Sequence, residues 1–197
     1  YEQVHQLQPA ERTSEFFEDL FGGGPKAGTL NGLMERIAPH LSDYEAEVKK
    51  QLLASPVMGN DETSIRVNKT NHWLHTHSTD SLTYYHLSSK RGVVGMQEGG
   101  ILEAYRGISE HDHYQSYFCF PQLQHALCNE HHLRELLGVY ESTKQLWADQ
   151  MRNLLRAYCH QVKEAKKEGL TSLSPTELAA IEKRYQELIE AGKQVNP

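Results

Sequence analysis

The sequence predicts an α/β fold with a helical attachment. Three observations carry this. The hydrophobic period is helical from 11 to 53, strand-like with interleaved turns from 57 to 128, and helical again from 129 onward. At 197 residues the chain has room for one domain with an attachment and for a sizeable core.

Glu11 to Phe21 places Phe16, Phe17, Leu20 and Phe21 at helical spacing, and Gly22-Gly23-Gly24-Pro25 breaks the run. A second helix is expected from Thr29, whose hydroxyl can cap it, toward Leu41. Helix, glycine turn, helix is the outline of a helix-turn-helix unit, and equally of a packed helical hairpin; Arg36 is the one basic residue of the second helix. Ser42 and Asp43 open a third helix, with Tyr44, Val48, Leu52 and Leu53 at helical spacing. Pro56 ends it, because the residue before proline is pushed away from helix.

Val57 to Asp61 reads as a strand, continued by alternation through Ile65-Arg66-Val67, with a turn over Asn68–Asn71. His72–Ser78 and Leu82–Leu87 are two further strands, which with the first form an antiparallel meander. Arg91 to Leu102 predicts a short helix weakened by glycines. Tyr105–Glu110 is a fourth strand and Gln124–Cys128 a short fifth. Beyond 129, Leu133, Leu136, Leu137 and Tyr140 mark one helix, and Leu146 to Val162 a longer one. Ser174-Pro175-Thr176-Glu177 is a capping box with proline at the first position, opening a last helix that ends near Gly192.

Composition narrows the function. No apolar run approaches a membrane span, and the N-terminus has neither a basic segment nor an apolar core, so no signal peptide is expected. Tyr1 suggests a natural start upstream. Three cysteines, Cys119, Cys128 and Cys159, fit a reducing cytosol. A net charge of -6 argues against a simple basic DNA-binding module. The charge is uneven, however: residues 1–140 hold 11 Lys/Arg against 18 Asp/Glu, and 141–197 hold 9 against 8.

Two aspartates organise the strand region. Asp61 and Asp112 each close a mostly apolar, strand-like run. On neighbouring strands such a pair can share a divalent metal. The alternatives are a turn-capping role for Asp61 and an N-cap role for Asp112 before Tyr114. Glu62, beside Asp61, is also within reach of a metal. Cys128 and His131 could form half of a zinc site, but no second pair at suitable spacing completes it. Histidines flank these positions: His75 and His77 on one strand face, His111 and His113 around Asp112. A hydrolase using those histidines is a weaker reading than packed or solvated rings.

A series of stretches then carries a resemblance. Ser55-Pro56-Val57 through Asp61-Glu62-Thr63, His72-Trp73-Leu74-His75, Ser78 to Tyr85, Lys90-Arg91-Gly92, Arg106-Gly107, Asp112-His113-Tyr114 and His125 to Leu136 follow one another in order and spacing. From about Glu11 to about Gly192 the chain resembles transposases of the insertion sequence 66 family. The resemblance implies a ribonuclease H-like mixed sheet with N-terminal helices and a C-terminal all-helical insertion. It divides the chain into an N-terminal helical region at 1–54, a partial catalytic core at 55–138 and the insertion at 139–197. It places Asp61 and Asp112 on the first two acids of an Asp-Asp-Glu triad holding Mg2+ or Mn2+. Cys128-Asn129-Glu130-His131 matches a Cys-x-x-His signature with a structural role, and His131 and Arg134 are expected at the DNA backbone. The family's third acid follows the helical insertion, and the chain stops at Pro197 before it. The family's residue after the second acid is commonly glycine; here it is His113.

The implied function is metal-dependent cleavage and strand transfer on double-stranded DNA, at element ends and target, by a homo-oligomer assembled on DNA; with two of the three acids, this stretch is expected to bind the metal weakly and to need the missing glutamate for turnover. The implied setting is cytoplasmic, with the nucleoid, and not a membrane. The alternative is an inactive remnant that binds DNA or a partner transposase.

Overall fold

In the computed structural model, which describes residues 2, 3, 6 and 8–196, the helical and extended segments follow the hydrophobic period. Helix α1, Ala10–Phe21, stops at Gly22, whose φ of +67° is the left-handed conformation that glycine adopts without a Cβ penalty; its amide donates to the Glu18 carbonyl. Helix α2, Ala27–Ile37, starts earlier than the sequence suggested. Lys26 is its N-cap, with no side-chain cap, and Thr29 lies inside the first turn. Pro25 and the extended Lys26 end the glycine turn there, so the helix begins as soon as that constraint is passed. A 3₁₀ turn at Ala38–Leu41 leads into α3, Ser42–Ala54, which buries Val48 and Leu52 but leaves Tyr44 exposed.

The sheet is mixed. Its strands are β1 (Val57–Val67), β2 (Thr70–Ser78), β3 (Thr83–Ser88), β4 (Ile108–His111) and β5 (Gln124–Leu127), in the order β3-β2-β1-β4-β5. The β1–β2 turn is tighter than predicted: only Asn68 and Lys69, both with positive φ, as a two-residue hairpin loop requires. Strands β2 and β3 are antiparallel, from Trp73↔Ser88 to Ser78↔Thr83, and β4 and β5 are parallel. With helices at both ends of the chain, this is a ribonuclease H-like layout.

Three predicted elements differ in extent. The helix expected over 91–102 is two, α4 (Val93–Glu98) and α5 (Ile101–Ala104), split where Gly100 takes a φ of +70°. The fourth strand starts at Ile108 rather than Tyr105, because the Tyr105 ring is fully buried and its hydroxyl donates to the Ser55 carbonyl at 2.9 Å. Asp61 is the fifth of the eleven residues of β1, not the end of a run. Beyond it Thr63, Ile65 and Val67 keep the strand extended.

The chain forms two compact units, Tyr1–Met58 with Glu62–Gly107, and Gly59–Asp61 with Ile108–Pro197. The first is built on Leu52, Met58, Met96, Ile101, Leu102 and Tyr105, all essentially inaccessible. Gly95 is tight there, since a Cβ would sit 2.0 Å from the Lys90 carbonyl oxygen. The second holds a 3₁₀ turn at Gln115–Cys119, α6 (Asn129–Thr143), α7 (Leu146–Lys167) and α8 (Pro175–Val195). The Ser174–Glu177 capping box is present on α8. Gly192 lies inside α8 rather than at its end: the Trp147 ring covers it, and a Cβ would come within 3.1 Å of that ring. Among the described residues no helix is long and apolar enough to cross a membrane.

Candidate active site

Strand alternation decides which side chains share a face. Asn60 and Ser109, both buried, are joined by a 2.8 Å hydrogen bond from the Asn60 amide nitrogen to the Ser109 hydroxyl. They therefore sit on the same sheet face, on β1 and β4. The period of two then sends Asp61 and Glu110 to the opposite face, and Asp112 follows directly after the end of β4. Asp61 is exposed and Asp112 half-buried, and both belong to one compact unit. The buried Asn60–Ser109 bond holds the backbone segments that bear them. Leaving either partner unsatisfied would cost about 1–3 kcal/mol.

The turn after β4 is fixed by its own side chains. Asp112 Oδ1 accepts the Tyr114 amide at 2.9 Å, so the carboxylate closes a local turn. His111 is buried, stacked on Tyr117 with ring centroids 4.5 Å apart, and edge-on to Phe118 and His125. Its Nδ1 meets the Asp112 carbonyl, which can only accept, so the proton is on Nδ1. Burial holds the imidazole below its ordinary range, so the ring is neutral and Nε2 accepts from His125 Nδ1 at 2.9 Å. His125 stands opposite Ser109 in the parallel register, on the face that alternation assigns to Ser109 and His111.

Parallel pairing brings the carboxyl ends of β4 and β5 to one edge of the sheet, where open α/β sheets bind ligands. Asp112 follows β4 there, and Cys128 follows β5, its amide donating to the His111 carbonyl at 2.8 Å. Cys128 is the N-cap of α6, so α6 starts at that edge and its first amides lack intrahelical partners. His113, where the family commonly has glycine, has no positive φ; it pairs with Glu135 at 2.9 Å and packs edge-on against His132. It ties the Asp112 turn to α6. Burial, then the neighbouring His113, lowers the His132 imidazole below its usual range. His131 is half-buried, and its Nδ1 has no hydrogen-bond partner among the described residues. Arg134 is exposed and makes no ion pair among them.

Glu62 has a different task from Asp61. Its carboxylate is 1% exposed and takes Arg91 Nε and Nη2, both at 3.1 Å. The Arg91 guanidinium lies over the Trp73 ring, 4.8 Å from its centroid. His75 and His77 of that unit are packing groups. His75 is buried and donates from Nε2 to the Lys90 carbonyl at 3.2 Å, while His77 is buried and stacked on Tyr84. Burial pushes the His77 imidazole down to about 3 and lowers those of His75 and His86. The three cysteines are free, and among the described residues no three His, Cys, Asp or Glu side chains are placed to hold a metal together. What Asp61 and Asp112 offer is a pair of hard oxygen donors. That fits magnesium or manganese, which bind through one or two carboxylates completed by water and substrate phosphate.

Asn60, Ser109, His111, His125 and Arg91 were not singled out for these roles by sequence reasoning. For Asn60, Ser109, His111 and His125 the available signal was polar residues in strand runs, which only pairing turns into contacts.

Comparison with known proteins adds one finding. The family model described as "Transposase IS66 family" matches residues 1–196, the whole length but one residue. No curated protein matches the chain. The chain belongs to the IS66 family of transposases.

Proposed function

We propose that this IS66-family chain cuts and joins DNA strands at the carboxyl edge of β4 and β5, with Asp61 and Asp112 as the first two acids of the site. The observation that supports this most is the buried Asn60–Ser109 bond, which ties the segments bearing Asp61 and Asp112 within one compact unit. No residue of this sequence is assigned as the third acid. A bound magnesium or manganese ion would supply polarisation of a phosphoryl oxygen and a more acidic water.

The chain's own groups do the rest. Asp61, exposed on β1, would lend its carboxylate to the ion. Asp112 keeps Oδ1 on the Tyr114 amide, which orients the carboxylate and leaves Oδ2 for a cation. His111 fixes the Asp112 carbonyl, and His113 fixes the turn to α6. Arg134 and His131 on the first turns of α6 contact DNA phosphate, alongside the amides of that helix end that lack intrahelical partners. In this reading 1–54 contacts DNA through its helical pair, 139–197 is the helical insertion, and the protein works as a homo-oligomer on the element's ends and its target.

Manganese binding by electron paramagnetic resonance and strand joining on labelled element ends test it together. Asp61→Asn and Asp112→Asn should each abolish both signals while DNA binding persists. Unchanged manganese binding in both variants sinks the assignment. A second reading, a module that binds DNA without cutting it, draws on the lack of a three-ligand cluster among the described residues. It predicts salt-sensitive DNA association that Asp61→Asn leaves intact, and no cleavage with either metal.

A further inference from the structure

Helix α7 carries its charge on one side. At 100° per residue, Arg152, Arg156, His160, Lys163 and Lys167 fall within a sector of about 80°, spread over about 22 Å of helix. From Arg156 onward these residues are exposed. The far side is engaged: Met151 is buried, and Leu154, Leu155 and Tyr158 line a cleft with Leu178, Ile181 and Tyr185 of α8.

The sign of this face sets it apart. Among the described residues α7 is the only α-helix with an excess of Lys and Arg over Asp and Glu, five against two, in a chain of net charge -6. Both of its acids are already taken. Asp149 binds Arg152 at 2.6 Å, and Glu164 binds Lys167 at 2.7 Å with His160 at 3.9 Å. Arg156, Lys163 and Lys166 make no ion pair among the described residues. On α8, by contrast, Arg184 and Lys193 are neutralised by Glu187 and Glu190.

We infer that this face of α7 is a docking surface for the phosphate backbone of duplex DNA, read without regard to sequence. The inference rests on the DNA-handling reading above and names a surface that reading does not include. Long basic side chains without internal partners are what counterion release rewards. The centres of protein–protein interfaces are depleted of charge, so a stripe of this kind suits a polyanion better than a protein partner.

The test is fluorescence anisotropy of the full chain on a short labelled duplex, between about 50 and 200 mM salt. The stripe variant is Arg156→Gln with Lys163→Gln. The control, Lys183→Gln with Lys193→Gln, makes the same charge change on α8. Circular dichroism checks that both fold. The stripe variant should lose about tenfold or more in affinity at the low salt, with the slope of log K against log salt falling by about 1.8; the control should stay within about twofold. Equal losses in both variants, or unchanged binding by the stripe variant, overturn the inference while the active-site reading stands. A wild-type chain that binds no duplex sinks the DNA reading itself, and the stripe with it. Stripe-dependent binding to phosphatidylserine vesicles but not to duplex would assign the face to a lipid surface and also overturn it.

Discussion

Acid should weaken the unit that contains β2 and β3, and His77 should account for a measurable share of that loss. Burial lowers this imidazole from its ordinary 6.5 to about 3, with the neighbouring His75 and His86 adding to the shift. The folded ring stays neutral where the unfolded one takes up a proton. A depressed pKa therefore contributes stability that is fully present above about 6.5 and is lost as pH falls through the window from 6.5 to about 3. Each pH unit well inside that window is worth roughly 1.4 kcal/mol, so at pH 5 the loss through His77 alone is about 2 kcal/mol. His77→Phe keeps a ring to stack on Tyr84 and removes the titration. Urea unfolding at pH 7 and pH 5, followed by Trp73 fluorescence in a Trp147→Phe background, measures the difference. The parent should lose about 2 kcal/mol more than the variant between the two pH values. Identical pH dependence in the two proteins would refute the burial argument. His75, His86, Glu98, Lys49 and Glu45 are present in both, so they drop out of the comparison to first order.

Other substitutions separate scaffold from chemistry. Glu62→Gln should cost about 1–3 kcal/mol in urea unfolding by leaving the Arg91 pair incomplete, and should leave manganese binding intact; Asp61→Asn should do the reverse. Asn60→Ala strands the buried Ser109 hydroxyl and should destabilise by about 1–3 kcal/mol, and a neutral result would mean that water replaces the amide. Gly95→Ala has no room, so its melting temperature should fall, whereas Gly23→Ala, with open space around it, should melt as the parent does. Ser174→Ala removes the capping box and should lower the helicity and stability of α8 by about 1 kcal/mol.

Element type was legible almost throughout, because hydrophobic period and turn chemistry are local properties. The helices of both ends, five strands and the Ser174 cap all follow from them. Boundaries failed where a long-range contact competed. Tyr105 reads as strand but is withdrawn into the core by the Ser55 carbonyl, and Gly192 reads as a helix stop but is the floor beneath Trp147. Tyr44 continues an apolar stripe by spacing, yet nothing covers it enough to bury it.

The candidate site divides along the same line. The sequence alone determined that Asp61 lies in a strand run and that Asp112 closes one, and its motif series pointed to the transposase family that the whole-chain match establishes. The resemblance placed Asp61 on the first acid, while residue chemistry alone left Glu62 also within reach of a metal. The sequence could not show that Glu62 is buried against Arg91 while Asp61 is exposed, because only pairing decides which face of a strand is covered. Nor could it show that Asn60 meets Ser109, 49 residues away, or that His111 hands its two ring nitrogens to Asp112 and His125. Those contacts are set by strand order and register, which depend on how distant segments pair rather than on any local pattern.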